Sequence, residues 1–451
     1  MSELIKTTKH KQHKHTCNCV HSHAHNNVET CDKTAKTADD SVPLGITAES
    51  STTYDHKIVR SERYKIQNTI AELLVNEGKK LSLDYADDYH RTAQCLRKRY
   101  EAVGVNKSKT YNRAFYSGLI QCANGWTCPV CSAKIQERRR IEIAQAFDYA
   151  YSNNKKVIMI TFTFPHYLHD RLKSQLDKLK EAFKYLRAGN VWTLMKQRIS
   201  YTGLIRALEV LWGKENGWHS HTHEAWIVDK NVDVNELREW LTKRWWDVCV
   251  KAGLISEDFA KTDSFNAHAV QITDNCHASD YFAKHDNAVN NKWGVDRELA
   301  KANNKGTRHS DKKLLHAFDL IKLYEQNNDQ KYAELFIEYA DAMRRKPAIF
   351  WSHGLKKLVG INEKTDQEIV EEQDDKAILL ATLTRENWRL IVCKKSRAHI
   401  LDLAENENGA ELIQNWLINA AQATLELTEV TQEVVIEFVT ESDFEFFSNS
   451  S

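Results

Sequence analysis

A chain of 451 residues, 42% hydrophobic and 28% charged, has enough apolar material for a packed core and for two or three domains. No apolar run approaches the ~20 residues that cross a bilayer and no apolar export signal opens the chain, so the expectation is a cytoplasmic protein whose ten cysteines serve metal binding rather than disulfides. The formal net charge of +1 hides an acidic end: residues 362–451 hold about 7 Lys and Arg against about 19 Asp and Glu, which leaves residues 1–361 near +13 and suited to phosphate.

Residues 1–55 are polar, and residues 10–25 (HKQHKHTCNCVHSHAH) are dense in histidine and cysteine. Such tracts bind metal; the bland alternative is a disordered tail that picks metal up adventitiously. Residues 56–150 form the next segment, which reads as helical to about residue 105. Cys122, Cys128 and Cys131 follow at spacings of six and three. The Cys-Pro-Val-Cys pair presents two thiolates from one tight turn, in the form of a zinc knuckle. Cys122 adds a third ligand, and Cys95 is the nearest upstream candidate for the fourth. A redox reading is weaker, because no thioredoxin-like βαβ pattern surrounds the pair. Residues 135–151 read as a helix that opens with Arg138, Arg139 and Arg140. Those arginines are either phosphate contacts or a solvated face.

Residues 151–310 hold the pattern on which the functional reading turns. Residues 156–166 (KVIMITFTFPH) are an apolar strand with alternating Thr161 and Thr163, closed by Pro165, which cannot continue a ladder. Residues 170–186 are amphipathic and helical. Residues 202–212 (TGLIRALEVLW) form another strand, and the turn GKENG joins it to residues 217–228 (GWHSHTHEAWIV) as a hairpin. His219, His221 and His223 lie two apart, so on a strand their rings share a face. Neutral imidazole is the commonest transition-metal ligand, so three in register begin a metal site; the alternative is an exposed polar face. Glu209, on the paired strand, either completes a three-ligand site or partners a lysine or arginine across the hairpin. Residues 235–251 form a helix with Leu237, Trp240, Leu241 and Trp245 toward the core, and residues 267–272 a short strand. Tyr281 and Lys284 are three apart and would share a helix face, a pattern that chance alone often supplies.

Residues 286–310 read as a polar loop that tracks DNA. Residues 311–361 form a helical extension, helical over 314–342 and then a short strand, a glycine turn and a basic helix end in AIFWSHGLKKLVGI, residues 348–361. Residues 362–451 are the acidic C-terminal region, helix-like around 412–421, with residues 443–447 as an exposed patch for a partner.

Taken in this order, the elements resemble the rolling-circle replication initiators of bacterial plasmids, within the HUH endonuclease superfamily. The His strand is similar to their Gly-Trp-His-Pro-His-x-His motif. The cysteine element, the Thr-rich strand, the Tyr-x-x-Lys pair and the Trp-Ser-His-Gly-Leu segment follow the family's order across residues 95–361, about 60% of the chain. The resemblance implies that His221 and His223 with Glu209 bind a catalytic divalent metal, Mg or Mn, with His219 as a further candidate. It implies a structural zinc on Cys95, Cys122, Cys128 and Cys131. Tyr281 would be the nucleophile, and Lys284 would stabilise the phenolate or the phosphate charge. Two positions depart from the pattern: Thr222 where the family prefers a bulky apolar residue, and His277 where some members carry a glutamate.

The implied activity is nicking of one strand of plasmid origin DNA, single-stranded or extruded as a hairpin. It leaves a 5′-phosphotyrosyl enzyme and a 3′-hydroxyl primer, and later rejoins the strand, with host helicase and DNA polymerase as partners and no membrane. The implied fold is α+β: a mostly antiparallel sheet with the His strand central and helices on one face, preceded by a small zinc-binding subdomain and followed by a helical C-terminal region. Two other readings remain. One is a relaxase or transposase with the same chemistry; the other is a zinc-stabilised DNA-binding protein without catalysis.

Overall fold

The computed structural model describes residues 53–256, 261–276, 314–372 and 376–431. Tyr281, Lys284, His277, the tract of residues 10–25 and the patch of residues 443–447 lie outside the described residues.

Helix α1 (Thr53–Lys80) leads through two short 3-10 turns, Ala86–Tyr89 and Arg91–Gln94, into strand β1 (Arg99–Ser108) and its antiparallel partner β2 (Ala114–Leu119). The helical expectation up to about residue 105 therefore fails at its end. Val103 and Val105, fully buried two apart, set a strand period that the basic run before them hides. Helix α2 (Pro129–Ser152) starts with proline at its first position, where a missing N–H costs nothing. Then come β3 (Lys155–Phe162), α3 (Leu172–Leu186), α4 (Gly189–Arg198), β4 (Gly203–Gly213), β5 (Gly217–Asp229), α5 (Val234–Lys251), α6 (Thr262–His268) and β6 (Val270–Thr273).

The strand expected at residues 267–272 starts only at Val270, because α6 takes the residues before it. The single helix expected over residues 314–342 is two, α7 (Ala317–Asn327) and α8 (Gln330–Ala342), broken at Asn328 in the left-handed region. The described residues end in β7 (Ile349–Trp351), α9 (Leu355–Val359), α10 (Asp366–Glu371), β8 (Ala377–Leu383), α11 (Arg385–Cys393), α12 (Arg397–Ala404) and α13 (Gly409–Thr431).

Among the described residues every strand pair is antiparallel, in two sheets. A three-stranded sheet has the order β2-β1-β8, so its third strand comes from the acidic end of the chain. The five-stranded sheet has the order β6-β3-β5-β4-β7, with the His strand β5 in the middle as expected.

Helices cover both faces of this sheet, not one. On the first face, Leu179, Phe183, Trp192, Leu241 and Trp245 pack on Ile158, Ile160, Phe162, Trp226 and Val228. On the second, Ile143, Ala146, Phe147 and Ala150 of α2 pack on Val157, Met159, Ile205, Ala225 and Ile227. The reason is in the strands. VIMI in β3 and AWIV in β5 are apolar at odd and even positions alike, so both faces must be buried. Each fully buried large side chain, such as Phe147, contributes on the order of 1.5–3 kcal/mol. The cover from α2 stops at Met159 and Ala225. The next residues on that face are Thr161 and His223. Among the described residues no helix is long and apolar enough to cross a membrane.

Candidate metal sites

The hairpin register pairs Glu209 with His221, Ala207 with His223 and Leu211 with His219, and β3 sets Thr161 opposite His223. Residues directly opposite in a ladder share a face, so Glu209, Thr161 and the three histidines all lie on the face that α2 leaves uncovered. Glu209 Oε2 is 2.8 Å from His221 Nε2 and 3.0 Å from His223 Nε2, and the two Nε2 atoms are 3.1 Å apart. His221 and Glu209 are buried and His223 half-buried, which removes the reading of an exposed polar face.

These donors fit a divalent ion. Nitrogen and oxygen ligands sit ~2.0–2.2 Å from a first-row metal, so three of them at right angles are about 3.0 Å from one another, the spacing seen here. Two imidazoles and one carboxylate also form a donor set that first-row divalent ions accept.

His219 continues the same row, its ring 4.8 Å from that of His221. Its Nδ1 meets Nε2 of His166, whose own Nδ1 is 3.0 Å from the Asn216 carbonyl oxygen. Sequence reasoning missed His166 as a site residue; its only signal was its place at the end of KVIMITFTFPH. Gly217 makes this contact possible. Its φ is +70°, and a Cβ there would come within 2.9 Å of the Leu168 Cα and the Tyr167 carbonyl oxygen. Only glycine lets the loop after β3 lie this close to the hairpin.

The four cysteines converge at a second place. Cys95 closes the second 3-10 turn, Cys122 follows β2, Cys128 caps α2 by accepting from Cys131 N, and Cys131 is in that helix's first turn. Sγ of Cys95 is 3.5 Å from that of Cys131 and 3.6 Å from that of Cys128, and Cys122 is 3.7 Å from Cys131. A disulfide needs ~2.05 Å, and all four are free thiols. Four sulfurs ~2.3 Å from a tetrahedral zinc stand about 3.8 Å apart, close to what is observed, so the residues fit a closed structural zinc.

The surroundings favour negative sulfur. Gln67 Nε2 donates to Cys128 Sγ, and the backbone N–H of Cys122 donates to Cys95 Sγ. Hydrogen bonds from the other three cysteines hold the Cys131 thiol well below its ordinary value. Hydrogen bonds with Cys122, Cys128 and Cys131 push Cys95 well above it, and burial does so for Cys122. A dication would allow all of them to ionise.

The three arginines expected to open a helix lie midway along α2 and are engaged with carboxylates. Arg139 bonds Glu142 and Asp366, Arg138 lies 3.6 Å from Glu142, and Arg140 pairs with Glu137. The phosphate-contact reading gains nothing from this placement.

Residues 119–253 match a protein family described as Replication protein. A relative from Streptomyces lividans named Protein rep is 32% identical over 25% of this chain and 30% of its own length. A Neomycin resistance protein from Streptomyces cyanogenus is 32% identical over 25% of this chain and 31% of its own length. A Protein rep from Staphylococcus aureus is 25% identical over 28% of this chain and 56% of its own length. The chain therefore spans between about a third and a little over half of these relatives. No solved structure matches the chain.

Proposed function

We propose that the chain is a Rep-type plasmid replication protein, a reading supported by the match over residues 119–253, and that it initiates replication by an HUH-type nick in single-stranded or extruded origin DNA. The observation that carries this reading is the convergence of Glu209, His221 and His223 within 3.1 Å on the central hairpin. Bound there, Mg or Mn would polarise the scissile phosphate.

In the proposal the remaining work falls to the chain's own residues. The Tyr281 phenol, whose ordinary pKa is about 10, gives up its proton and its oxygen bonds to the phosphorus. The bond from phosphorus to the 3′ oxygen breaks, and that oxygen leaves as a hydroxyl that primes a polymerase. Lys284 offsets charge on the phenolate or the phosphate. The new phosphotyrosyl ester keeps the bond energy, so the reverse attack rejoins the strand without ATP.

Chain length permits Tyr281 to reach the site. Cys276, five positions earlier, packs on the face of the triad and donates its N–H to the Val157 carbonyl. Four residues of β3 carry that point to Thr161, a distance of about 13 Å. Five residues of chain reach up to ~17 Å. The cysteine cluster would hold a structural zinc, and the domain division expected from the sequence stands as part of this proposal. The test is incubation with single-stranded origin DNA, with and without Mn or Mg, followed by denaturing electrophoresis. A metal-dependent nick with protein on the 5′ end, lost in Tyr281→Phe, is expected. DNA binding with no cleavage would leave the non-catalytic reading.

A further inference from the structure

We propose that Thr161 is a positioning residue for the metal site: its hydroxyl holds the His223 ring and accepts from Nδ1–H when Nε2 binds the ion. This rests on the reading of Glu209, His221 and His223 as metal ligands. Thr161 stands directly opposite His223 on β3, and its Oγ1 is 3.0 Å from His223 Nδ1. The other nitrogen of that ring, Nε2, is the one that meets His221 and Glu209. A neutral imidazole carries one proton, on one nitrogen or the other. It can ligate through Nε2 only when that proton is on Nδ1, and Nδ1–H then needs an acceptor. The Thr161 oxygen is placed to be that acceptor.

Without an ion, Nε2–H can donate to the Glu209 carboxylate while the Thr161 hydroxyl donates to Nδ1. A metal has to displace the proton from Nε2, and the proton then sits on Nδ1. The hydroxyl can turn to accept it, so it lowers the cost of the ligating form.

The position supports a specific role. Met159 and Val157, the preceding residues on the same face of β3, are apolar and packed under α2. A valine at 161 would continue that pattern and is nearly the same size as threonine. A hydroxyl appears where the α2 cover ends and the histidines begin. Thr161 Oγ1 is also a weak acceptor compared with a carboxylate, so it orients the ring without adding charge.

The test uses the full chain and Mn²⁺ as the probe, with affinity read by calorimetry or electron spin resonance, and the ¹⁵N spectrum of histidine-labelled protein read without metal. His221→Ala defines which part of the Mn²⁺ binding belongs to the triad. Loss of an outer-shell partner costs ~10–100-fold in metal affinity. Thr161→Val is expected to weaken triad-dependent binding by that factor and to shift the His223 Nδ1 resonance, which loses its hydrogen bond. Thr161→Ser is expected to keep both near wild type. If Thr161→Val binds Mn²⁺ as wild type does, or Thr161→Ser falls as far as Thr161→Val, this inference is overturned while the triad stands. If His221→Ala leaves Mn²⁺ binding intact, the triad reading falls and this inference with it.

Discussion

Replacing Cys128 by serine tests the second metal site. The sulfur it removes is 3.6 Å from Cys95 Sγ and also caps α2. One lost ligand opens a four-sulfur shell that fits tetrahedral zinc only when closed. Zinc-finger peptides gain ~10–16 kcal/mol from their metal, but this chain has an independent core around the cluster. Val103, Val105, Ile369, Trp388 and Ile391 pack in the same group as the four cysteines. That core survives in part, so the expected loss is the ~4 kcal/mol or more typical of losing a metal from a folded domain. At ~2–4 °C per kcal/mol, Tm falls by about 8 °C or more. The assay is calorimetry beside zinc content by mass spectrometry. The Cys128→Ser chain should hold one zinc fewer than wild type, and metal on residues 10–25 cancels in the comparison. Equal zinc content in the two proteins and equal Tm would refute the argument.

Three further outcomes follow from single sites. Gly217→Ala forces a left-handed φ worth ~1–2 kcal/mol and drives a Cβ to 2.9 Å from backbone atoms; the urea midpoint should fall by at least that much with an unchanged slope, whereas Gly125→Ala, whose nearest neighbour would be 3.9 Å away, should be near neutral. Glu224 is fully buried on the face opposite the triad and accepts from Arg187, Arg206 and Trp226. Glu224→Gln breaks a buried ionic group and should cost ~3–5 kcal/mol in chemical denaturation, yet leave the Mn²⁺ affinity of the folded protein unchanged. Glu405 carries an acid-sensitive contribution: burial opposes its charge, but hydrogen bonds from His56 and Arg60 hold its carboxyl down to about 2 from 4.5. A depressed folded value means the stability is present above about pH 4.5 and lost as pH falls toward 2. The stability gap between wild type and Glu405→Gln should therefore be constant near neutral pH and close over that acid window; a gap that persists at the acid end would contradict this.

The parts legible in the sequence were those with a clean period or a fixed spacing. The alternation of His219, His221 and His223, the glycine-bounded turn and Cys-Pro-Val-Cys all encode local geometry, and the structure brings the chosen partners Glu209 and Cys95 to them. What stayed hidden depends on contacts far apart in sequence. β8 is an apolar stretch whose Ile378 and Leu379 are exposed, and only its pairing with β1, more than 250 residues away, makes it a strand. β1 was masked by the charged run before it. The second layer of helix went unforeseen because two-sided burial in β3 and β5 shows only when both faces are counted. His166 was invisible for another reason: a lone histidine after a strand has no period, and it joins the row only because Gly217 lets its loop approach.

The metal face depends on register more than on any single ligand. Glu209 comes from β4 and the histidines from β5, so the triad exists only while Glu209 is opposite His221. A slip of one residue would turn Glu209 to the α3 face and put Leu208 or Val210 against the imidazoles. Three features hold the register. The turn closes at Gly217 in a conformation few other residues adopt. Trp212 and Trp218 pair beside it and bury themselves with Leu172 and Leu176 on the far face. Farther along, Arg206 opposite Glu224 ties the strands by an ion pair on that same far face. The residues that align the ligands thus point away from them. This lets the near face remain polar and half-exposed at His223, while the far face carries the packing that keeps Glu209, His221 and His223 in place.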